Sequence, residues 1–157
     1  MKVRTGVFAA AIGAALLAGA PALAADQCIG VKGSHRLSVQ VTGVRAAEGE
    51  VAVTIYPDDA RRFLAPHGKL LRSRVKAEAP ATSACFWLPG PAVYAIAVYH
   101  DANGDHDFNR TGIGTPAEGY GFSNDAPSTV GFPAFEKVRF SVSAGESVTA
   151  VRLRYPR

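Results

Sequence analysis

Cysteine, methionine and net charge are all scarce in this chain of 157 residues. Two cysteines are too few for a disulfide-dense miniprotein or for a four-cysteine zinc site. The single methionine, at position 1, excludes a Met-rich surface of the kind that binds copper or target peptides. The remaining composition is 48% apolar and 19% charged, with 16 Gly and 10 Pro, which is typical of a globular protein and not of a disordered one.

The first 24 residues have the three parts of a secretory signal peptide. Lys2 and Arg4 form a positive region, an uncharged run covers residues 7–20, and Ala22 and Ala24 are the small residues that a signal peptidase reads. The apolar run is shorter than the roughly 20 residues of a membrane-spanning helix. We therefore predict a signal peptide at 1–24 and a periplasmic or secreted domain at 25–157 without a transmembrane segment.

Loss of the signal peptide would leave the chain almost neutral. Removing Lys2 and Arg4 from the 17 basic residues leaves 15 against 13 acidic ones, a net charge of +2, which gives no case for nucleic acid binding. The basic residues are uneven, because the segment 61–76 holds Arg61, Arg62, Lys69, Arg72, Arg74 and Lys76 without an acid. This segment indicates either a solvated strand face with a loop, which we favour, or a patch that binds a polyanionic envelope component.

Cys28 and Cys85 are the two cysteines of the mature chain. Exported compartments are oxidising, so we expect them to form a disulfide. Their separation far exceeds the Cys-x-x-Cys spacing of redox-active pairs, which favours a structural bridge between the mature N-terminus and a strand.

From residue 36 onward the apolar residues alternate with a period of two, which is typical of half-buried β-strands. Residues 92–99 are apolar throughout and indicate a central strand that is buried on both faces. The other predicted strands lie near 37–42, 51–56, 71–77, 84–88, 135–142 and 147–153. We predict an all-β fold: a single β-sandwich of about seven strands, immunoglobulin-like or prealbumin-like, with one long ordered loop at 101–134 that holds no strand. A small barrel is the competing architecture.

Oxygen-bearing side chains recur at every second position directly after the predicted central strand. They are Asp101, Asn103, Asp105, Asp107 and Asn109. Ca²⁺ takes about six to eight oxygen ligands, so such side chains on a turning loop can converge on one ion. The spacing is similar to that of an EF-hand loop, but His106 stands where that loop needs Gly, and Gly112 where it carries its bidentate Glu. We expect Glu118 or backbone carbonyls to complete a calcium site.

Two alternatives to calcium stay open from the sequence. The side chains can cap backbone amides as an Asx-rich turn without metal. His100 and His106 flank the cluster, but without a third His or Cys nearby a zinc or copper site lacks its usual ligands. Calcium is favoured because the carboxylates of Asp101, Asp105 and Asp107 repel one another and a cation would relieve that repulsion.

The segment 90–124 carries motifs that resemble a known bacterial family. A strand ends in His100-Asp101, an Asx-rich loop follows, and residues 114–124 read Gly-x-Pro-x-Glu-Gly-x-Gly-Phe-Ser-Asn. A Pro-Ala-Phe-Glu element follows at 133–136. These motifs resemble the secreted family catalogued as domain of unknown function 2141, from which Asp105, His106 and Asn109 depart. The resemblance implies a secreted β-sandwich and supplies no established reaction.

The long loop also carries the residues that we expect to contact a ligand. Tyr120, Phe122 and Asn124 combine aromatic and polar groups, as recognition surfaces do, although packing of the loop onto the sandwich explains them equally well. We predict an exported, non-enzymatic module of unknown ligand and unknown oligomeric state. A less favoured alternative is a hydrolase using Ser123 with His100 and a nearby Asp. The sequence around Ser123 lacks the Gly-x-Ser-x-Gly motif that would support it.

Overall fold

The computed structural model describes residues 27–128 and 131–156, so the predicted signal peptide lies outside the described residues. The described chain forms two open β-sheets, which confirms the β-sandwich. Its strands are β1 (His35–Thr42), β2 (Glu50–Pro57), β3 (Leu71–Lys76), β4 (Ala81–Trp87), β5 (Ala92–Asp101), β6 (Tyr120–Phe122), β7 (Phe140–Val142) and β8 (Gly145–Arg152). A single 3-10 turn (Ser123–Asp125) and one short helix, α1 (Phe135–Val138), interrupt the connection from β6 to β7.

The smaller sheet has the order β4-β1-β8. Its middle strand, β1, runs antiparallel to β4 and parallel to β8, with Leu37 opposite Phe86 on one side and Ser147 on the other. The predicted disulfide joins Cys28 to Cys85 of β4. Beside it, Ile29 forms a bridge with Phe86, so the start of the described chain is held against the edge of this sheet.

The larger sheet has the order β3-β2-β5-β6, and β7 pairs with the other end of β5. β5 is ten residues long and pairs with β2, β6 and β7, which confirms it as a central strand. Its register with β2 places Thr54 opposite Ala97 and Glu50 opposite Asp101. These two pairs position the functional site described below.

The core lies between the two sheets and is built from alternate residues of their strands. Because side chains on a strand alternate between faces, the odd-numbered positions of β1 and β2 and the even-numbered positions of β5 point into the same layer. Burial of each such aliphatic side chain contributes about 1.5–3 kcal/mol. The fully or almost fully buried members include Leu37, Val39, Val41, Val51, Val53, Ile55, Phe86, Ile96, Val98 and Val151.

Two local predictions were wrong. The segment 101–134 does contain a strand, β6, which is only three residues long and is centred on Gly121, a residue that weakens the strand pattern. Gly121 is needed there, since a Cβ at this position would lie 2.3 Å from the Arg152 backbone oxygen. The predicted strand 135–142 begins with α1, because Phe135 and Val138 are three residues apart and both turn toward the outer face of the larger sheet.

No helix among residues 27–128 and 131–156 is long and apolar enough to span a membrane.

Candidate functional site: the covered outer face of the larger sheet

Much of the outer face of the larger sheet is covered, by the long loop together with α1 and Phe63 of the β2–β3 connection. A second apolar cluster fills the space between them, with members Tyr56, Phe63, Ala95, Ala97, Tyr120, Phe122, Ala126, Phe135 and Val138. This covering changes the environment of β3, whose Arg72 and Arg74 were predicted to lie on a solvated face. Both arginines are half-buried beneath the loop, while Lys76 is exposed.

Asp101, at the end of β5, is fully buried. Its Oδ2 atom accepts hydrogen bonds from Arg74 Nη1 and from the His106 backbone N–H, each at 2.9 Å. Its Oδ1 atom is buried and has no hydrogen-bond partner among the described residues. A buried carboxylate oxygen without a partner is costly, which makes this atom the most informative of the site.

The next part of the loop is organised around the exposed Asp105 carboxylate. Oδ2 of Asp105 accepts from Asn103 Nδ2 at 2.8 Å and from Asn109 Nδ2 at 2.9 Å. Oδ1 accepts from the Asp107 backbone N–H at 2.9 Å. The Asn109 hydrogen bond, followed by those from Asp107 and Asn103, holds the pKa of Asp105 below its ordinary value. Asp107 is itself exposed and contributes its backbone to this network.

Glu118 reaches the same network from the far side of the loop. Its buried carboxylate accepts a hydrogen bond from the Asn109 backbone N–H, with Oε2 and N 3.0 Å apart. Burial is the main cause that raises the pKa of Glu118, and the negative charges of Asp101 and Asp105 act in the same direction, against the Asn109 hydrogen bond. The sequence-predicted ligands Asn103, Asp105, Asn109 and Glu118 are therefore joined by hydrogen bonds, with Asp101 close enough to act on Glu118.

His106 has a left-handed backbone conformation, with φ at +68°. This is the conformation that the Gly at the same position of an EF-hand loop supplies, and His is among the residues that adopt it more readily than most. The His106 Nε2 atom lies 3.3 Å from Glu50 Oε2. One ligand atom each from Glu50, Asp101 and His106 lie within 4.8 Å of one another.

Sequence reasoning missed Glu50 and Arg74 as members of this site. Both lie near Asp101 because of the sheet register. Glu50 of β2 is opposite Asp101 of β5, and Arg74 of β3 is opposite Ala52, which is two residues beyond Glu50 on the same face of β2. The spacing along the chain gives no signal for such neighbours. The alternation of basic residues in β3 was the one sequence signal for Arg74. On a sheet face that no loop covers, the same alternation indicates exposure to solvent.

A pocket of about 200 Å³ lies beside the loop on the same outer face. Small residues, Thr54 and Ala97, are among those that line it, together with aromatic rings. The remaining lining side chains are Tyr56, Leu64, Arg72, Val98, Tyr99, Phe108, Arg110, Tyr120, Phe122 and Phe132.

Four of these rings form one aromatic cluster. Phe132 lies 5.8 Å from both Tyr120 and Phe122 and 6.0 Å from Phe108, measured between ring centroids. Tyr120 and Phe122, predicted as ligand-binding residues, thus line the pocket. Asn124 does not line it, because its Nδ2 atom donates to the carbonyls of Lys137 at 3.1 Å and Arg139 at 2.7 Å and so holds the end of α1.

Tyr99 connects the pocket to the Asx-rich loop. Its hydroxyl accepts from Arg74 Nη2 at 2.8 Å and donates to the His106 carbonyl at 3.1 Å. Its ring packs edge-on against Phe108 of the loop, with centroids 5.5 Å apart. Tyr99 therefore contacts both the His106 and Phe108 part of the loop and the pocket, whose wall it forms in part.

The residues of the hydrolase alternative make other contacts. Ser123 is fully buried, and its hydroxyl accepts from the Ile96 backbone N–H at 3.0 Å and donates to the Val138 carbonyl. His100 Nε2 donates to the Glu48 carbonyl at 2.8 Å, and Nδ1 lies 2.7 Å from the Tyr155 hydroxyl. The side chains of Ser123 and His100 therefore both make hydrogen bonds that link separate segments of the fold.

Two open sheets, with a long loop packed over the outer face of one of them, define a loop-covered β-sandwich. The chain belongs to the bacterial family described as "uncharacterized protein conserved in bacteria (DUF2141)", whose model matches residues 39–150. No curated protein and no solved structure gives a significant match.

Proposed function

We propose that the protein is an exported, non-enzymatic binding module in which the 101–118 loop binds calcium and thereby orders the aromatic pocket beside it. The observation that carries the calcium proposal is the Oδ1 atom of Asp101, which is fully buried and has no partner among the described residues. A cation at this atom would supply the missing interaction.

Further oxygen-bearing groups near Asp101 support the calcium proposal. Burial raises the pKa of the Glu118 carboxylate, and the negative charges of Asp101 and Asp105 act in the same direction, so a cation would relieve repulsion among the three carboxylates. The side-chain amides of Asn103 and Asn109 already point at Asp105. Rotation of each amide by half a turn would direct its oxygen into the same space, giving the oxygen-rich surroundings that Ca²⁺ prefers.

The two departures from an EF-hand loop are both accommodated. His106 has the backbone conformation that the loop requires at its sixth position. Glu118 approaches Asn109 from across the loop. Its carboxylate can replace that of the Glu which an EF-hand loop carries at the position of Gly112. We therefore assign Asp101, Asn103, Asp105, Asn109 and Glu118 as the calcium ligands. Asp107, the other predicted ligand, is exposed, and its backbone N–H donates to Asp105 Oδ1.

The basic segment 61–76 supports a polyanion-binding function less well. Arg74 is committed to Asp101 and Tyr99 beneath the loop. Arg61 pairs with Asp59, and Arg62 donates to the Gly68 carbonyl at 3.1 Å. These contacts leave fewer free cations for a polyanion than the sequence indicates.

Export is supported by two independent features. The sequence of residues 1–24 has the three-part signal pattern. The disulfide between Cys28 and Cys85 is of the kind that persists outside the cytoplasm. We expect mass spectrometry of protein recovered from the periplasmic fraction to show an N-terminus at Ala25, and an intact residue 1–24 segment in that fraction would contradict the cleavage.

Calorimetric titration of the EDTA-treated protein with CaCl₂ tests the calcium site. We expect saturable binding and a rise in thermal stability, which corresponds to about 2.7 kcal/mol at a hundredfold excess over the dissociation constant. Asp105→Asn and Glu118→Gln should each weaken binding strongly, because they remove ligand charge. Glu136→Gln is the control, because Glu136 is an exposed glutamate of α1 outside the assigned ligand set. Absence of binding at millimolar calcium, or an equal loss in Glu136→Gln, would overturn the assignment.

A further inference from the structure

We propose that the pocket binds a single-ring aromatic carboxylate, with the ring against Ala97 and Thr54 and the carboxylate at Arg72. This inference deepens the proposed function by giving the chemical class of the ligand, and it rests on the pocket and not on the calcium ion.

The pocket exists because small side chains on the sheet are surrounded by large ones. Thr54 of β2 and Ala97 of β5 are opposite each other in the register, and Phe122 of β6 is opposite Ala97 on the other side. Tyr56 and Tyr99 occupy the same face two residues further along their strands. Two short side chains therefore leave a hollow between aromatic walls.

The volume of the pocket limits the ligand to about one ring. An apolar cavity of about 150 Å³ holds benzene, whereas pockets for drug-sized ligands begin at about 300 Å³. At about 200 Å³ the pocket has room for one six-membered ring and a small substituent. Leu64 and Phe132, with 37% and 38% of their surface exposed, are apolar side chains of the lining that reach solvent.

The charge of the lining selects an anion. Arg72 and Arg110 line the pocket, and none of the lining side chains is acidic. Arg72 is half-buried and donates through Nε to the Thr54 hydroxyl at 2.8 Å, and within the described part of the chain no carboxylate lies at ion-pair distance from it. Arg110 lies over the ring of Phe132, 5.0 Å from its centroid, and donates to the Gly114 carbonyl.

The guanidinium group of Arg72 and the aromatic walls of the pocket together favour a carboxylate attached to an aromatic ring. A guanidinium group presents planar, parallel donors that match a carboxylate. Aromatic walls favour an aromatic ring, because edge-to-face contacts stabilise a ring beyond its buried area. A half-buried arginine without an acidic partner, placed at the edge of such a hollow, is thus complementary to an aromatic monocarboxylate.

Benzoate is the probe that tests this inference, with benzamide and acetate as matched controls. Benzamide keeps the ring and shape but removes the charge, and acetate keeps the charge but removes the ring. We expect calorimetry or ligand-observed NMR to show saturable benzoate binding, and binding of benzamide and acetate that is weaker by about tenfold or more. Equal binding of benzamide would overturn the role of Arg72, and absence of benzoate binding to calcium-saturated protein would overturn the ligand class.

Two variants locate the binding. Arg72→Met should weaken benzoate by about tenfold or more, while Arg61→Met, at an exposed arginine outside the pocket, should not. Ala97→Leu fills the hollow and should abolish binding without removing any polar group. Benzoate binding that survives both Arg72→Met and Ala97→Leu would place it elsewhere. Titrations of the same preparations with calcium separate the two proposals, since loss of benzoate binding with calcium binding intact contradicts only the pocket assignment.

Discussion

Replacement of Arg74 by methionine is expected to destabilise the fold far more than the loss of a surface arginine. The Arg74 side chain is 19% exposed, and it pairs through Nη1 with the fully buried Asp101 at 2.9 Å. Methionine fills much of the same space but leaves the Asp101 charge buried without its counter-ion. Removal of one partner from a buried ion pair costs about 3–5 kcal/mol, and the partial exposure of Arg74 puts the expected loss near the lower limit, at about 3 kcal/mol.

Urea unfolding followed by the fluorescence of Trp87 measures this loss, because Trp87 is the single tryptophan and ends a strand of the smaller sheet. EDTA in the buffer keeps calcium from supplying the missing positive charge. Arg61→Met is the control: Arg61 also pairs with an aspartate, Asp59, but its side chain is 90% exposed, so we expect a much smaller loss of stability.

The comparison with a double variant completes the test. Arg74→Met combined with Asp101→Asn removes both charges and should lose less stability than the sum of the two single variants. If Arg74→Met unfolds at the same urea concentration as Arg61→Met, the ion pair does not have the buried character assigned to it, and the account of the site built on Asp101 fails with it.

Three further outcomes are expected. Reduction of the Cys28–Cys85 disulfide, which closes a loop with a sequence separation of 57, should lower the free energy of unfolding by up to about 4 kcal/mol; unchanged urea midpoints with and without reductant would contradict this. Ser123→Ala should cost about 2 kcal/mol in urea unfolding, because it leaves two buried backbone groups without partners, and a neutral result would mean that water replaces the hydroxyl. The Arg154 hydrogen bond lowers the pKa of Asp125, so this pair stabilises the fold above the unfolded-state pKa of about 3.9 and loses that effect as the pH falls through the lower folded-state value. The stability difference between wild type and Asp125→Asn, below about 1 kcal/mol for this half-exposed pair, should therefore vanish in strong acid, and a difference that grows with acid would have the wrong sign.

The architecture was predictable wherever a strand buries one or both faces in a simple pattern. β1 alternates in burial because one of its faces meets the core. β2 alternates in sequence although both of its faces are buried, and β5 is apolar throughout because the long loop covers its second face. β6 was not predictable, since three residues centred on a glycine are too short for a periodic signal. Its existence depends on the approach of Gly121 to the Arg152 backbone, which only the folded chain creates.

The candidate site was predictable where it is local in sequence. The spacing of two predicted that Asn103, Asp105 and Asn109 lie close together, and the side-chain amides of both asparagines donate to Asp105 Oδ2. Their role as calcium ligands stays a prediction. Glu50 and Arg74 come from two other strands, and their contacts with Asp101 follow from register and from the covering of the outer face. The alternation of basic residues in β3 identifies the face on which Arg74 lies, but it does not identify Asp101 as its partner.

The parallel pairing of β1 with β8 has a consequence for how the protein folds. Each residue of β1 meets a partner 110 positions later, as Arg36 and Glu146 do in both register and ion pair. Such distant pairing requires closure of a very long loop and slows folding. During synthesis β1 can therefore pair only with β4 until nearly the whole described chain has been made. The smaller sheet is therefore complete only after β8, the last strand of the described chain, has been synthesised.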